Sequence, residues 1–364
     1  GQDLARVLRF THSFPQIPAA LASERENWSV TLSGATDAVG NTASPTVVGT
    51  VVVDRKPPEL WGYTQVPSDV VVDGELIVSF GVSEALRHQP EVSLAGNRFT
   101  VRVREVPEGA QAAAEAILDV LHRRGVPNYF GAQRFGLRGD THLLGKELVH
   151  QDGAAFVRRL AGMPDPAESA RVQAARQLFE EGQLSASLET WPRDMGTERR
   201  VVETLLRHPG DWGRAVRSVP KSMRQFYISA YQSALFNRLL ARRLDTLDQL
   251  MVGDLANLRG RSAVFVVEDA AAEQPRADRQ EISPSGPLYG YKLTMAQGVP
   301  GEMEQCVLDE EALTLEDFRL PGLKIKGARR PLRVPLGDYR AWYEEGLMLS
   351  FTLLPGSYAT TVLG

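Results

Sequence analysis

Residues 125–136 read GVPNYFGAQRFG, three aromatic rings with an Asn, a Gln and an Arg set between glycines. Asn128 and Arg134 need hydrogen-bond partners wherever they are buried. A flat ring beside an amide suits a nucleobase taken out of its stack: the ring covers the base face and the amide reads its edge. An Arg close by suits the flanking phosphate or a carboxylate. At least one of Tyr129, Phe130 and Phe135 is expected in the core.

Positive charge points the same way. Residues 212–243 hold seven Arg and Lys, among them Arg214, Arg217, Lys221 and Arg224, and no acid. Residues 321–333, PGLKIKGARRPLR, hold five, Lys324, Lys326, Arg329, Arg330 and Arg333, again with no acid. Arg123, Arg124, Arg134 and Arg138 flank the opening stretch. Each phosphate that a cation neutralises releases counterions, so segregated positive charge attracts a polyanion. A solvated helix face explains any one cluster; three of them, one interleaved with rings, indicate nucleic acid. Arg214, Arg217, Arg224, Lys324, Arg329 and Arg330 are expected to line or border one positive cleft.

Other chemistries lack their residues. The six histidines and one cysteine form no HxH, HExxH or CxxC, so neither a metal nor a cofactor is expected. GxxxxGK[ST], a strand-linked GxGxxG and GxSxG are absent as well. Asn27-Trp28-Ser29 matches a glycosylation sequon, a pattern common by chance. A lone Cys306 excludes an intrachain disulfide and suits a reducing, cytoplasmic compartment. No run of about eighteen apolar residues spans a membrane. The chain starts with Gly rather than Met, and is expected to be a piece of a longer one.

The elements that must position these residues fall into two textures. The net charge of −4 divides unevenly: residues 1–97 hold 6 Lys and Arg against 11 Asp and Glu, residues 98–364 hold 35 against 34. Residues 28–54 and 69–103 are rich in Val and Thr with turn residues between, which predicts short strands. Gly40-Asn41 suits a hairpin connection. Beyond 108 the texture is α+β. Residues 108–125 are helix formers closed by Gly125, and Pro127 helps end that segment. Residues 169–183 and 226–243 also read as helices; in the second, Tyr227, Ile228, Tyr231, Leu235, Leu239 and Leu240 share one face. Residues 263–268 and 347–354 read as strands, and 270–281 as a loop.

Two resemblances follow. Asp37–Thr42, Val53–Pro58 and Ser83–Leu86 resemble bacterial immunoglobulin-like repeats. Residues 1–56 then form a partial repeat, and 57–97 further Ig-like strands in place of another segment. GVPNYFGAQRFG, together with ISAYQSALFN (228–237), ISPSGPLYGYK (282–292), GARRPLR (327–333) and LPGSYATTVL (354–363), resembles the tRNA pseudouridine synthase D family in the family's own order. GNRFTVRVRE (96–105) is similar to the strand that enters this region.

The second resemblance implies a pseudouridine synthase-type mixed sheet core in two parts, 98–150 and 321–364, around an inserted domain at 151–320. It implies a monomer that isomerises a uridine in the D arm of tRNA, with no cofactor or metal. Asn128 matches the family's uridine-contacting Asn and Tyr358 the aromatic lining the same pocket, with Phe130 and Arg134 shaping it; the four are expected to converge.

The family's Lys-Asp segment, which supplies the nucleophile, is not recognisable here, so no catalytic residue is assigned. Its nearest echo surrounds Asp37, where Thr36 stands in place of the Lys. The missing segment predicts tRNA binding with slow turnover. Three readings stay open: a pseudouridine synthase, an inactive RNA-binding module of the same fold, and an Ig-like cell-surface fragment.

Overall fold

The computed structural model describes residues 97–107, 109–260 and 263–363 in full, and upstream of these only the backbone of five strand segments. In chain order, β1 (Val7–Arg9), β2 (Arg25–Ser33), β3 (Thr46–Asp54), β4 (Ile77–Ser79) and β5 (Glu91–Val103) precede α1 (Ala110–Arg124) and the short β6 (Val126–Pro127). Seven helices follow: α2 (Thr141–Val149), α3 (Gly153–Ala161), α4 (Ala170–Glu180), α5 (Leu184–Thr190), α6 (Gly196–Arg207), α7 (Trp212–Ser218) and α8 (Lys221–Arg242). Then come β7 (Leu255–Leu258), β8 (Val264–Val266), α9 (Ala270–Asp278), β9 (Ile282–Leu288) and α10 (Gly298–Glu310). The chain closes with β10 (Ala328–Pro331), β11 (Arg333–Val334), β12 (Gly337–Tyr343), β13 (Leu347–Leu353) and α11 (Thr360–Leu363).

Two compact units divide the chain at 126/127 and 333/334. The first, 1–126 with 334–362, holds a five-stranded sheet in the order β12-β13-β5-β2-β3. Its pairings are all antiparallel, where the resemblance implied a mixed sheet. In the register of β13 with β5, Phe351 stands opposite Phe99, and the two buried rings lie 5.7 Å apart. Helix α1 lays Leu118 into this core, while Tyr339 on β12 donates its hydroxyl to Asp119 at 2.7 Å. Gly125 closes α1 at φ 86°, a conformation that L side chains resist, and donates its N–H to the carbonyl of Leu121 at 2.8 Å. Strand β5 runs unbroken through Gly96-Asn97, so the expected join at 97 falls inside a strand. The hairpin turn at Gly40-Asn41 and Asp37 lie outside the described residues.

The second unit, 127–333, packs α2–α8 and α10 around the apolar face of α8 predicted from its periodicity, and carries an antiparallel sheet, β10-β9-β7-β8. Within this unit α2 packs with α8, crossing it at Gly145, where a Cβ would lie 2.1 Å from the carbonyl oxygen of Tyr227. Residues 270–281, read as a loop, contain α9. Asp269 caps this helix by accepting from the N–H of Ala272 at 3.0 Å, and alanines carry it past Pro275. Among the described residues no helix is long and apolar enough to cross a membrane.

Candidate nucleotide-binding site

Asn128, directly after β6, is buried, at 3% exposure, and each of its polar atoms has a partner. Its N–H donates to the carbonyl of Leu332 at 2.8 Å and its Nδ2 to that of Pro331 at 2.8 Å. Its Oδ1 accepts from Nη2 of Arg330 at 2.5 Å. The Arg330 guanidinium lies over the ring of Phe130, 4.1 Å from the centroid, and 5.7 Å from that of Phe236. Such stacking suits a planar guanidinium better than an ammonium. Phe130 meets Phe236 edge to face at 5.6 Å. With Tyr129 these rings pack on Leu240, Leu247 and Leu332, so the expected core aromatics include Tyr129. Burial pushes the Tyr129 phenol upward, which keeps it protonated.

One stripe of α8 holds this stretch in place. Asn237 clamps the backbone of Phe130 from both sides: Oδ1 accepts from its N–H at 2.9 Å and Nδ2 donates to its carbonyl at 2.9 Å. Ser233 accepts from Nε of Arg134 at 3.2 Å and Ser229 from its Nη2 at 2.5 Å. The same guanidinium lies 5.2 Å from the ring of Phe226. Residues 226, 229, 233, 236 and 237 recur at helical spacing, so one helix face meets the whole motif. Composition had drawn attention to the apolar face instead. The signal for this one was present in Ser229, Ser233 and Asn237, three small polar residues four apart.

Glycines elsewhere let the backbone close in. Gly286 is the register partner of Arg330, and a Cβ there would come within 2.9–3.1 Å of Leu332, Leu239 and Phe236. Adding one would push Phe236 away from Phe130.

The expected cations go to different neighbours. Arg329 turns inward: its side chain is 7% exposed and its Nη2 pairs with Glu304, 2% exposed, at 2.7 Å. Arg330 goes to Asn128. Arg224 donates from Nε to the carbonyl of Val219 at 3.2 Å. Lys324 is exposed between buried Leu323 and Ile325, as extended alternation requires. Arg214 and Arg217 line a shallow depression of about 310 Å³ with Thr204, Arg207, His208 and Ser218. There Arg214 meets Nε2 of His208 at 2.8 Å and Asp211 at 3.3 Å.

Within the second unit, Arg330 joins Asn128 to Phe130, and α8 holds both Phe130, through Asn237, and Arg134, through Ser229 and Ser233. Tyr358 belongs to the first unit, where its carbonyl accepts from the N–H of Thr361 at 3.1 Å and from its hydroxyl at 2.7 Å.

A half-buried Phe130 ring, a satisfied Asn128 amide and a stacked Arg330 guanidinium form one cluster. The family profile "tRNA pseudouridine synthase D (TruD)" matches residues 78–364. The chain belongs to the tRNA pseudouridine synthase D family. The match reaches back to residue 78, so residues 78–97, read from the sequence as Ig-like strands, lie within the family's span. The chain is 45% identical over 302 residues to the tRNA pseudouridine synthase D of Geobacter sulfurreducens, covering 82% of this chain and 74% of that one. To the tRNA pseudouridine synthase D of a Geobacter species, strain M21, it is 39% identical over 333 residues, 91% of this chain and 80% of that one. A crystal structure of a Methanosarcina mazei protein described as a tRNA pseudouridine synthase D superposes with a TM-score of 0.70 at 25% identity, covering 98% of this chain and 90% of that chain.

Proposed function

We propose that the chain isomerises uridine to pseudouridine in tRNA, and that the base is held at Asn128, Phe130 and Arg330. In this reaction the bond from the ribose to N1 of the base breaks, the base turns, and a bond to C5 forms; C5 gives up its proton and N1 takes one up, so that no atom is gained or lost overall. What supports the reading above all is the Arg330–Asn128–Phe130 cluster. It places an amide edge and an aromatic face side by side within the motif that resembles the family's. Arg134, held by Ser229 and Ser233, fixes the outer part of that motif.

Arg214, Arg217, Arg224 and Lys324 contact phosphates of the tRNA, a uridine of the D arm is the target, and the protein acts in the cytoplasm as a monomer. Arg329, paired with Glu304, is left out of this surface. A covalent carboxylate splits the rearrangement into easier steps, and Asp37 is the residue to test for it. Pseudouridine is counted by chemical tagging after incubation with unmodified tRNA. Conversion by the wild-type chain that Asn128→Ala abolishes supports the proposal. Salt-sensitive binding with no conversion would leave the RNA-binding reading in its place. Conversion lost in Asp37→Ala would make Asp37 the nucleophile.

A further inference from the structure

An amide offers an acceptor at one end and a donor at the other, so its orientation decides which base it matches. Uracil presents N3–H, a donor, between two carbonyl oxygens. Cytosine presents an unprotonated N3, an acceptor, beside an amino group. An Asn whose oxygen faces N3 pairs with uracil; the same Asn turned over pairs with cytosine.

The neighbours of Asn128 settle its orientation. A guanidinium has only donors, so the end that Arg330 meets at 2.5 Å is Oδ1. The carbonyl of Pro331 only accepts, so the end it meets at 2.8 Å is Nδ2. Turning the amide over would set donor against donor and acceptor against acceptor, leaving two buried groups unpaired. Arg330 is itself held, stacked at 4.1 Å on Phe130, whose backbone Asn237 clamps. The Asn128 backbone is tied to Leu332 at 2.8 Å and offers no relaxation.

We infer that Arg330 is a positioning residue that locks the Asn128 amide in the orientation that accepts from N3–H, and so selects uracil over cytosine. The inference rests on the reading of this cluster as the uridine site. Oδ1 keeps a second lone pair and Nδ2 a second hydrogen, so Arg330 stays in place while the base is read.

The test is binding of short oligouridylate and oligocytidylate of equal length to the full chain. Their phosphate contacts are the same, so the ratio of dissociation constants reports the base edge alone. The wild-type chain is expected to prefer oligouridylate about tenfold, the discrimination of one good amide–base pair. Arg330→Ala should bring the ratio to within about twofold of unity, and Arg330→Gln, which keeps a donor for Oδ1, should restore part of it. Arg330→Met, also without a donor, carries the same test if the Ala variant does not fold. A wild-type ratio near unity, or an unchanged ratio in Arg330→Ala or Arg330→Met, overturns the inference. Failure of the proposed function is read separately, as no pseudouridine formed in tRNA by the wild-type chain.

Discussion

The carbonyl oxygen of Tyr227 lies 2.1 Å from the point where a Cβ on Gly145 would stand. Helices α2 and α8 touch there backbone to backbone. Because α8 also carries Asn237, Ser233 and Ser229, the crossing fixes the helix on which the site is built. Gly145→Ala is expected to destabilise the second unit by about 1–3 kcal/mol, the usual cost of overpacking a core. Urea denaturation should show a lower midpoint at unchanged slope.

Asn237 hydrogen-bonds the backbone of Phe130, at 2.9 Å on each side. Asn237→Ala should loosen the ring without removing a cation or a base contact. We expect tRNA affinity within about twofold of wild type and kcat/KM reduced at least tenfold, as displacements of about 1 Å near reacting atoms commonly do. Steady-state pseudouridine formation separates the two quantities. Equal loss of both would mean that Asn237 serves the fold rather than the site.

Arg217 and Arg329 make a matched pair of opposites. Arg217 is exposed in the depression between α6 and α7, whereas Arg329 is buried on Glu304. Arg217→Ala should lower the slope of log affinity against log salt by about one, with stability unchanged. Arg329→Ala should leave that slope alone and cost about 3–5 kcal/mol of stability, because it strands a buried carboxylate. Filter binding at several salt concentrations and thermal melts check both.

Glu311, at the C-terminal cap of α10, ties that helix to α2 and α8. Lys146 of α2 and Tyr231 of α8 bond its Oε2 at 2.8 and 2.7 Å, and Arg238 of α8 its Oε1. Burial alone would raise its carboxyl, but these three hydrogen bonds outweigh that and hold it down to about 2. A folded-state value below the unfolded one contributes stability above the unfolded glutamate range. That stability is lost as pH falls from there toward 2. Glu311→Gln should therefore cost about 2 kcal/mol at neutral pH and flatten the acid limb of the stability curve. A variant that loses stability equally at pH 3 and pH 7 would place the cause in packing rather than charge.

Local chemistry was legible where it acts over a few residues. The ending of α1 at Gly125 follows from a glycine that alone adopts φ 86° without strain. The burial of Tyr227, Ile228, Tyr231 and Leu235 follows from their spacing on α8. Helix α9 was missed because a polar, Ala-rich run with a Pro has no apolar stripe, while its cap at Asp269 is a single side chain.

Sequence alone also carried the family, since ordered motifs survive without knowledge of contacts. Tertiary structure decided what each cation does. Arg329 and Arg330 are adjacent, identical in type and equally basic on paper. A strand sends neighbouring side chains to opposite faces. What waits there is Glu304 for the one and Asn128, 202 residues away in the chain, for the other. Spacing cannot reveal such partners, because packing brings them together and hydrogen bonds reach only about 3 Å.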